Sequence, residues 1–173
     1  LHLPAKGNII LGSDRQGSNF NHFSVISTET NTVVKKIDVT GTPYSLAYDS
    51  GRGEIYALTD RAIEIIDDET YTIIERIDSS AASGCSIAYN SVRGEIYVAN
   101  CNSGTISIID RDGFIQDEFT ATVATINVGA TWMVYNSAKE EVSVMTPGWP
   151  GAATFSVISI IPVNDAPFAQ STQ

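Results

Sequence analysis

The chain has 173 residues, of which 43% are hydrophobic, and this is enough to form the core of one domain. Ten Lys and Arg stand against twenty Asp and Glu, which gives a formal net charge of −10. Because so few basic residues are present to neutralise phosphates, we expect no nucleic acid partner. No apolar run approaches the roughly 18 to 20 residues of a membrane-spanning helix, so we expect no membrane span.

The predicted elements recur along the chain. The first unit, near residues 7–40, contains the phrases GNIILGSD, FSVIS and TVVKKID, and we expect it to lack its innermost strand. The second unit, near residues 41–79, opens with SLAYDSGRGEIYAL from Ser45 and continues with IEIID and TIIERID. Its opening phrase returns 41 positions later, from Ser86, as SIAYNSVRGEIYVA. Repetition at this period determines the architecture before any local pattern does.

The copy from Ser86 opens a third unit, near residues 85–121, which continues with ISIID. The fourth unit, near residues 131–161, holds the weaker copy WMVYNSAKEEVSVM, then FSVIS, and shows no evident outer strand. Residues 162–173 are predicted to be a C-terminal tail or linker.

Each unit is predicted to form four short strands. Apolar residues at every second position, many of them β-branched or aromatic, predict strands with one face against a core. The phrases DSGRG and NSVRG suit tight turns, and the charged phrases TVVKKID and TIIERID suit outer strands. Repeated four-stranded antiparallel sheets are the blades of β-propellers. The sequence therefore predicts an all-β fold, a β-propeller-type array of about three and a half to four blades. Since a closed ring usually has four to eight blades, the chain is a small, irregular closed form, part of a larger propeller, or a subunit whose open ends neighbours complete. We favour part of a larger ring or assembly.

The phrase YVANCNSGTISIID, from Tyr97, resembles the repeat of the YVTN family of β-propellers, in which a Tyr-Val-Thr-Asn-like strand precedes a polar turn and a strand ending in Val-Ile-Asp. Residues 94–110 match closely, although Ala99 stands where the family has Thr. The resemblance implies a prokaryotic surface or secreted propeller, and it specifies a fold better than a function. The tail phrase VISIIPVNDAPFA resembles the junction between cadherin-like modules; the alternative is a strand stopped by prolines and followed by a flexible end.

Two cysteines flank one predicted hairpin. Cys85 precedes the inner strand of the third unit and Cys101 follows its second strand, so a turn near Val92 brings both to one end of adjacent strands. This placement suits a disulfide, while two half-buried thiols and a metal-binding or reactive role remain open. Two cysteines in an acidic β sequence favour an oxidising, extracellular or cell-surface location. The start at Leu1 fits either a mature exported chain or a fragment of a longer one.

Catalytic and metal-binding signals are sparse. His2 and His22 have no metal ligand at a suitable spacing, and no GxSxG, P-loop or GxGxxG motif is present. Acidic turns suit calcium, although their aspartates more simply bond the turn backbone. We therefore expect no cofactor, with calcium as the alternative. The acidic turns contain Asp67, Asp68 and Glu69, and Asp110, Asp112 and Gly113.

In a propeller, the starts of inner strands and the loops between second and third strands gather at one face. Aromatic rings flanked by amides there suit sugars, peptides or polymer surfaces, because flat apolar faces stack while polar groups orient the ligand. An aromatic residue such as Trp132 also suits the core between blades. The candidate ligand-binding residues are Tyr44, Asp60, Arg61, Asn100, Asn102, Trp132 and Trp149.

These features together favour a non-catalytic extracellular or cell-surface protein that binds, adheres or self-assembles. Its expected partner is a protein, a glycan or a cell-surface polymer, and open blade edges make a homo-oligomer a further expectation. The alternative is a propeller enzyme of the lactonase, lyase or quinoprotein type, with its site on the central axis. Carboxylates, histidines or a metal converging on that axis would favour the enzyme.

Overall fold

The computed structural model shows an all-β protein with four antiparallel sheets that follow one another along the chain. No α-helix occurs among the described residues, and none of their segments is a helix long and apolar enough to cross a membrane. The structure describes residues 1–3, 6–12, 21–78, 84–100, 105–110, 115–120, 132–136, 138–139, 141–146 and 154–159.

The first sheet has four strands in sequence order. They are β1 (His2–Leu3), β2 (Asn8–Gly12), β3 (His22–Ser27) and β4 (Val33–Asp38). The prediction that this unit lacks its innermost strand is wrong, because β1 pairs with Asn8 and Ile9. A two-residue strand is too short to show an alternating pattern, so only its pairing reveals it.

The second sheet is built in the same order from β5 (Pro43–Asp49), β6 (Glu54–Thr59), β7 (Ala62–Asp67) and β8 (Ile73–Asp78). Its first strand contains a β-bulge, since Pro43 pairs with Thr59 while Ser45 pairs with Leu58. At the other end of β5, Asp49 Oδ1 accepts hydrogen bonds from the backbone nitrogens of Gly51 and Arg52, at 2.8 and 3.3 Å. An Asp that bonds the backbone two and three residues ahead stabilises a tight turn, as the phrase DSGRG predicted.

The third sheet repeats the second. Its strands are β9 (Gly84–Asn90), β10 (Glu95–Asn100), β11 (Thr105–Asp110) and β12 (Ile115–Thr120). The bulge recurs at Cys85, and Asn90 Oδ1 takes the place of Asp49 by accepting bonds from the nitrogens of Val92 and Arg93, at 3.0 and 3.2 Å. The two best copies in the sequence therefore fold alike.

The fourth sheet has three strands in the described part of the chain. They are β13 (Trp132–Asn136), β14 (Glu141–Thr146) and β15 (Thr154–Ser159). Its first strand carries a buried Met133 between exposed neighbours, which is the alternation expected of a strand with one covered face.

The core lies between the sheets rather than within any one of them. Between the second and third sheets, Tyr56, Ile63 and Ile65 pack against Ile96 and Val98 of the next sheet. Each fully buried side chain of this kind contributes roughly 1.5–3 kcal/mol. Similar clusters join the first sheet to the second and the third to the fourth.

Because the second sheet lies between two others, β6 is buried throughout and β7 is buried from Ala62 to Ile66. The prediction of one covered face per strand is therefore wrong for these two strands. The charged phrases, by contrast, form the outer strands β4 and β8, as predicted.

Candidate functional site

The first strands of consecutive sheets lie side by side, with β5 against β9 and β9 against β13. Two equivalent hydrogen bonds join them: Ile87 N donates to Ser45 Oγ at 3.4 Å, and Met133 N donates to Ser86 Oγ at 3.0 Å. Near the other ends of these strands, Tyr135 Oη donates to Asn90 Oδ1 at 2.6 Å. The strands therefore run in the same direction, and the starts of β5, β9 and β13 lie at one end of the molecule. We call this end, together with the β6–β7 turn, the strand-start end.

Tyr44 projects from the strand-start end. It is the extra residue of the bulge in β5, and 52% of its surface is exposed. A bulge turns a side chain away from the regular alternation of a strand. The pairing of Pro43 with Thr59 places Tyr44 beside the turn that contains Asp60 and Arg61.

The β6–β7 turn is held by its own polar groups. Asp60 Oδ1 accepts a hydrogen bond from Thr42 N at 2.7 Å, and Thr59 Oγ1 bonds both the nitrogen and the carbonyl oxygen of Ala62 at 3.0 Å. The carboxylate of Asp60 thus fixes the segment that leads into β5, while the side chain of Arg61 is exposed. Of these two predicted ligand-binding residues, Arg61 faces solvent and Asp60 has a structural partner.

The strand-start end differs between the third and fourth sheets. Cys85 is half-buried, and its Sγ lies 3.5 Å from the carbonyl oxygen of Ala99. Asn100 is buried and donates from Nδ2 to Ser107 Oγ at 2.8 Å, so its side chain lies in the interior. Trp132, at the start of β13, is 64% exposed. The structure therefore brings Tyr44, Arg61 and Trp132 to one exposed end.

Three predicted residues lie outside the part of the chain that the structure describes: Asn102, Trp149 and Cys101. The disulfide between Cys85 and Cys101 and the contribution of the other two residues to binding stay predictions.

The aspartates of the acidic turn after β7 accept hydrogen bonds from other residues of the chain. Asp67 Oδ1 accepts hydrogen bonds from the hydroxyl and the backbone nitrogen of Thr70, at 2.6 and 2.7 Å, and these bonds lower the pKa of Asp67. Asp68 accepts a bond from Tyr48 Oη at 2.7 Å and lies 3.5 Å from Lys6 Nζ. Among the described residues, no group of three or more His, Cys, Asp or Glu is arranged to hold a metal ion.

The second acidic turn is only partly described, because Asp112 and Gly113 lie outside the described residues. His22 is buried on β3, opposite Asp38, and His2 is exposed on β1. The two histidines therefore lie on different strands of the first sheet.

Sequence reasoning did not assign a role to a tyrosine that recurs in three units, Tyr48, Tyr89 and Tyr135. Tyr135 bonds Asn90 of the preceding sheet, and Asn90 Nδ2 in turn donates to Tyr97 Oη at 2.6 Å. The tyrosine recurs at the same position of each copy, and this repetition is the signal in the sequence that could have indicated a structural role. Tyr89 and Tyr135 thus bond the preceding sheet, at Asp49 and Asn90 respectively, whereas Tyr48 bonds Asp68 of its own unit.

A buried carboxylate was also missed. Glu64 is buried on β7, where its Oε1 accepts a hydrogen bond from Thr40 N at 2.9 Å and its Oε2 has no partner among the described residues. The alternation of Ile63, Glu64 and Ile65 suggests an exposed polar position. Only the packing of the first sheet against the second shows that the position is buried.

No family model and no curated protein matches the chain. Its fold is similar to that of a solved structure, Kuenenia stuttgartiensis hydrazine synthase, with a TM-score of 0.66 and 13% sequence identity. The match covers 80% of this chain and 40% of that chain, so the present chain corresponds to less than half of the solved one. At this identity the likeness concerns the fold alone.

Proposed function

We propose that the protein is a non-catalytic, extracellular or cell-surface repeat protein that binds its partner through the strand-start end. The observation that carries this proposal is the exposure of Tyr44 and Trp132 at the same end of the second and fourth sheets, which flank the third sheet. Large aromatic side chains are usually buried, and exposed ones that gather at one surface are typical of binding sites.

We further propose that the four sheets are blades of a β-propeller of the YVTN type. The stacked four-stranded antiparallel sheets and the fold likeness to a larger solved chain support this proposal. A propeller brings the starts of its innermost strands together around one axis, so its strand-start end would be a single binding surface.

Glycans are the partner that this surface suits best among proteins, glycans and cell-surface polymers. Sugar rings present flat apolar faces that stack on aromatic rings, and Arg61 beside Tyr44 offers hydrogen-bond donors to sugar oxygens. The net charge of −10 does not oppose a neutral glycan. The self-assembly of several copies belongs to the same proposal, since it would multiply the weak contacts of a single site.

Isothermal titration calorimetry tests the proposal. The chain is titrated with hexamers of β-1,4-linked glucose and of N-acetylglucosamine, and the affinity for each is measured. Tyr44→Ala and Trp132→Ala are each expected to weaken binding by about three- to tenfold, because each removes a stacking ring. Val92→Ala is the matched control, since Val92 is exposed in the β9–β10 turn at the far end of β9.

Equal losses in all three variants, or no binding of either sugar, would contradict a glycan site at this end. A metal ion retained after dialysis, with hydrolysis of a lactone or ester that Tyr44→Ala abolishes, would favour the enzymatic alternative instead.

A further inference from the structure

Each inner sheet has two covered faces. We define the forward face of a sheet as the one turned toward the next sheet in sequence, and the back face as the one turned toward the preceding sheet. Ala47 and Ala88 lie on the forward faces of the second and third sheets and are only 6% and 7% exposed. Ala57 and Val98 lie on the corresponding back faces and are fully buried.

In the part of the chain that the structure describes, the first and fourth sheets leave one face each uncovered. On the fourth sheet, Val134 occupies the repeat position of Ala47 and Ala88, yet it is 67% exposed. On the first sheet, Leu11 occupies the repeat position of Ala57 and Val98, and it is 50% exposed. The chain therefore exposes one forward face and one back face that carry apolar residues where the inner sheets bury them.

The two exposed faces also carry polar residues at the repeat positions of residues that form hydrogen bonds between the inner sheets. Asn136 on the forward face of the fourth sheet stands at the repeat position of Asn90, which accepts the bond from Tyr135 of the following sheet. Its Oδ1 already accepts from Ala138 N at 3.1 Å, as Asn90 Oδ1 accepts from its own turn. His2 on the first sheet stands at the repeat position of that tyrosine and is exposed. A donor and an acceptor are thus placed for a contact between the two faces.

We propose that the forward face of the fourth sheet binds the back face of the first sheet of a second copy, so that copies associate head to tail. The contacts inside the chain show what covers such faces, namely the opposite face of another sheet of the same repeat. This inference rests on the self-assembly part of the proposed function. It assigns the contact to sheet faces, not to the edges formed by outer strands.

A head-to-tail contact uses two different surfaces on each copy, so it can propagate beyond a dimer. Each copy carries a net charge of −10, and the copies therefore repel one another at low ionic strength. Added salt screens this repulsion and is expected to strengthen the association.

The test is sedimentation velocity on the full chain from low micromolar concentration upward, at two ionic strengths. The average mass of the unaltered chain is expected to rise with concentration and with salt. Val134→Glu and Leu11→Glu should each weaken self-association at least about tenfold, because each buries an unpaired carboxylate in the contact. Val92→Glu, which adds the same charge to an exposed turn, should leave association unchanged.

Mixing the two variants gives the decisive result. Leu11→Glu keeps an intact forward face and Val134→Glu keeps an intact back face, so an equimolar mixture should form one-to-one dimers that do not grow further. This rescue also shows that both variants are folded. A chain that stays monomeric at every concentration, a mixture that stays monomeric, or self-association of Leu11→Glu alone at unaltered strength would overturn the proposal.

The same variants separate this proposal from glycan binding. Tyr44→Ala should self-associate with unchanged strength, because Tyr44 lies on the second sheet and on neither of the two exposed faces. A loss of self-association on Tyr44→Ala would contradict a contact made by the two sheet faces, whatever the outcome of the sugar titration.

Discussion

The tyrosines of the repeat are held in their neutral form by their surroundings. The hydrogen bond to Asp68 and partial burial raise the pKa of Tyr48 to about 12. Burial and the neighbouring Asp49 raise the pKa of Tyr89 to about 12. Burial also raises the pKa of Tyr56 and Tyr97, whose hydroxyls donate to Glu54 and Glu95 respectively. Each of these hydroxyls lies beside a side-chain oxygen that can accept its proton in a hydrogen bond. A phenolate has no proton to donate, so ionisation would remove the hydrogen bond.

These shifts predict how stability depends on pH. A tyrosine with a higher pKa in the folded than in the unfolded chain binds its proton more tightly when folded. Its contribution to stability is complete below the unfolded value of 10.0 and is lost as the pH rises through the folded value of about 12. We therefore expect the free energy of unfolding to fall between pH 10 and 12, as measured by urea denaturation at a series of pH values.

The ultraviolet absorbance of tyrosinate, followed as the pH is raised, measures the tyrosine pKa values independently. In the native chain, part of the absorbance change should be delayed to about pH 12, whereas in urea all seven tyrosines should titrate together near 10. Tyr48→Phe should reduce the delayed part. Native and denatured titration curves that coincide would contradict the assignment.

At the scale of the elements, the segment leading into β5 determines how Tyr44 is presented. Gly41 has a positive φ of 94°, and its carbon lies so close to Asp60 and Arg61 that an added Cβ would contact Asp60 Oδ1 and lie 3.0 Å from Arg61 Cγ. The segment is fixed to the β6–β7 turn by the bond from Thr42 N to Asp60. Gly41 therefore permits the close packing of two loops at the strand-start end.

Gly41→Ala is expected to lower the free energy of unfolding by about 1–3 kcal/mol, because it combines backbone strain with a collision against the turn. Gly94→Ala is the matched control. Gly94 also has a positive φ, of 72°, but nothing lies within 4 Å of its added Cβ. Urea denaturation should show a smaller loss for Gly94→Ala; equal losses would mean that the contact with Asp60 adds nothing to the backbone strain.

At the scale of the whole molecule, the sheets depend on one another for burial and for hydrogen bonds. The nitrogen of Met133 lies at the start of the fourth sheet and is bonded to the buried hydroxyl of Ser86 on the third. Without that hydroxyl, the N–H group would be buried and unpaired, which costs about 1–3 kcal/mol. The repeated serine is thus a direct connection between neighbouring sheets.

Ser86→Ala is expected to loosen the contact between the third and fourth sheets, with faster amide hydrogen exchange concentrated in β13. Ser45→Ala removes the equivalent but longer bond to Ile87, and its effect should be smaller. Hydrogen exchange read by mass spectrometry measures both. Uniform acceleration over the chain, or a larger effect from Ser45→Ala, would contradict a local connecting role for Ser86.

Much of the fold could be predicted because the second and third units are near copies. Their alternation, turn residues and charged outer phrases identified strands β5 to β11 and the order of the strands within each sheet. The strand-start end was less predictable. Tyr44 and Trp132 were named as candidates, but the same pattern suited core residues, and Asn100 proved to be buried beside Ser107.

The sequence by itself determined that the chain is a row of similar antiparallel sheets, because strand formation and hairpin turns depend on neighbours a few residues apart. Only the tertiary structure decided which faces are covered, since burial depends on which sheets lie next to one another. That is why Glu64 is buried between isoleucines, and why Val134 is exposed at a position where Ala47 and Ala88 are not.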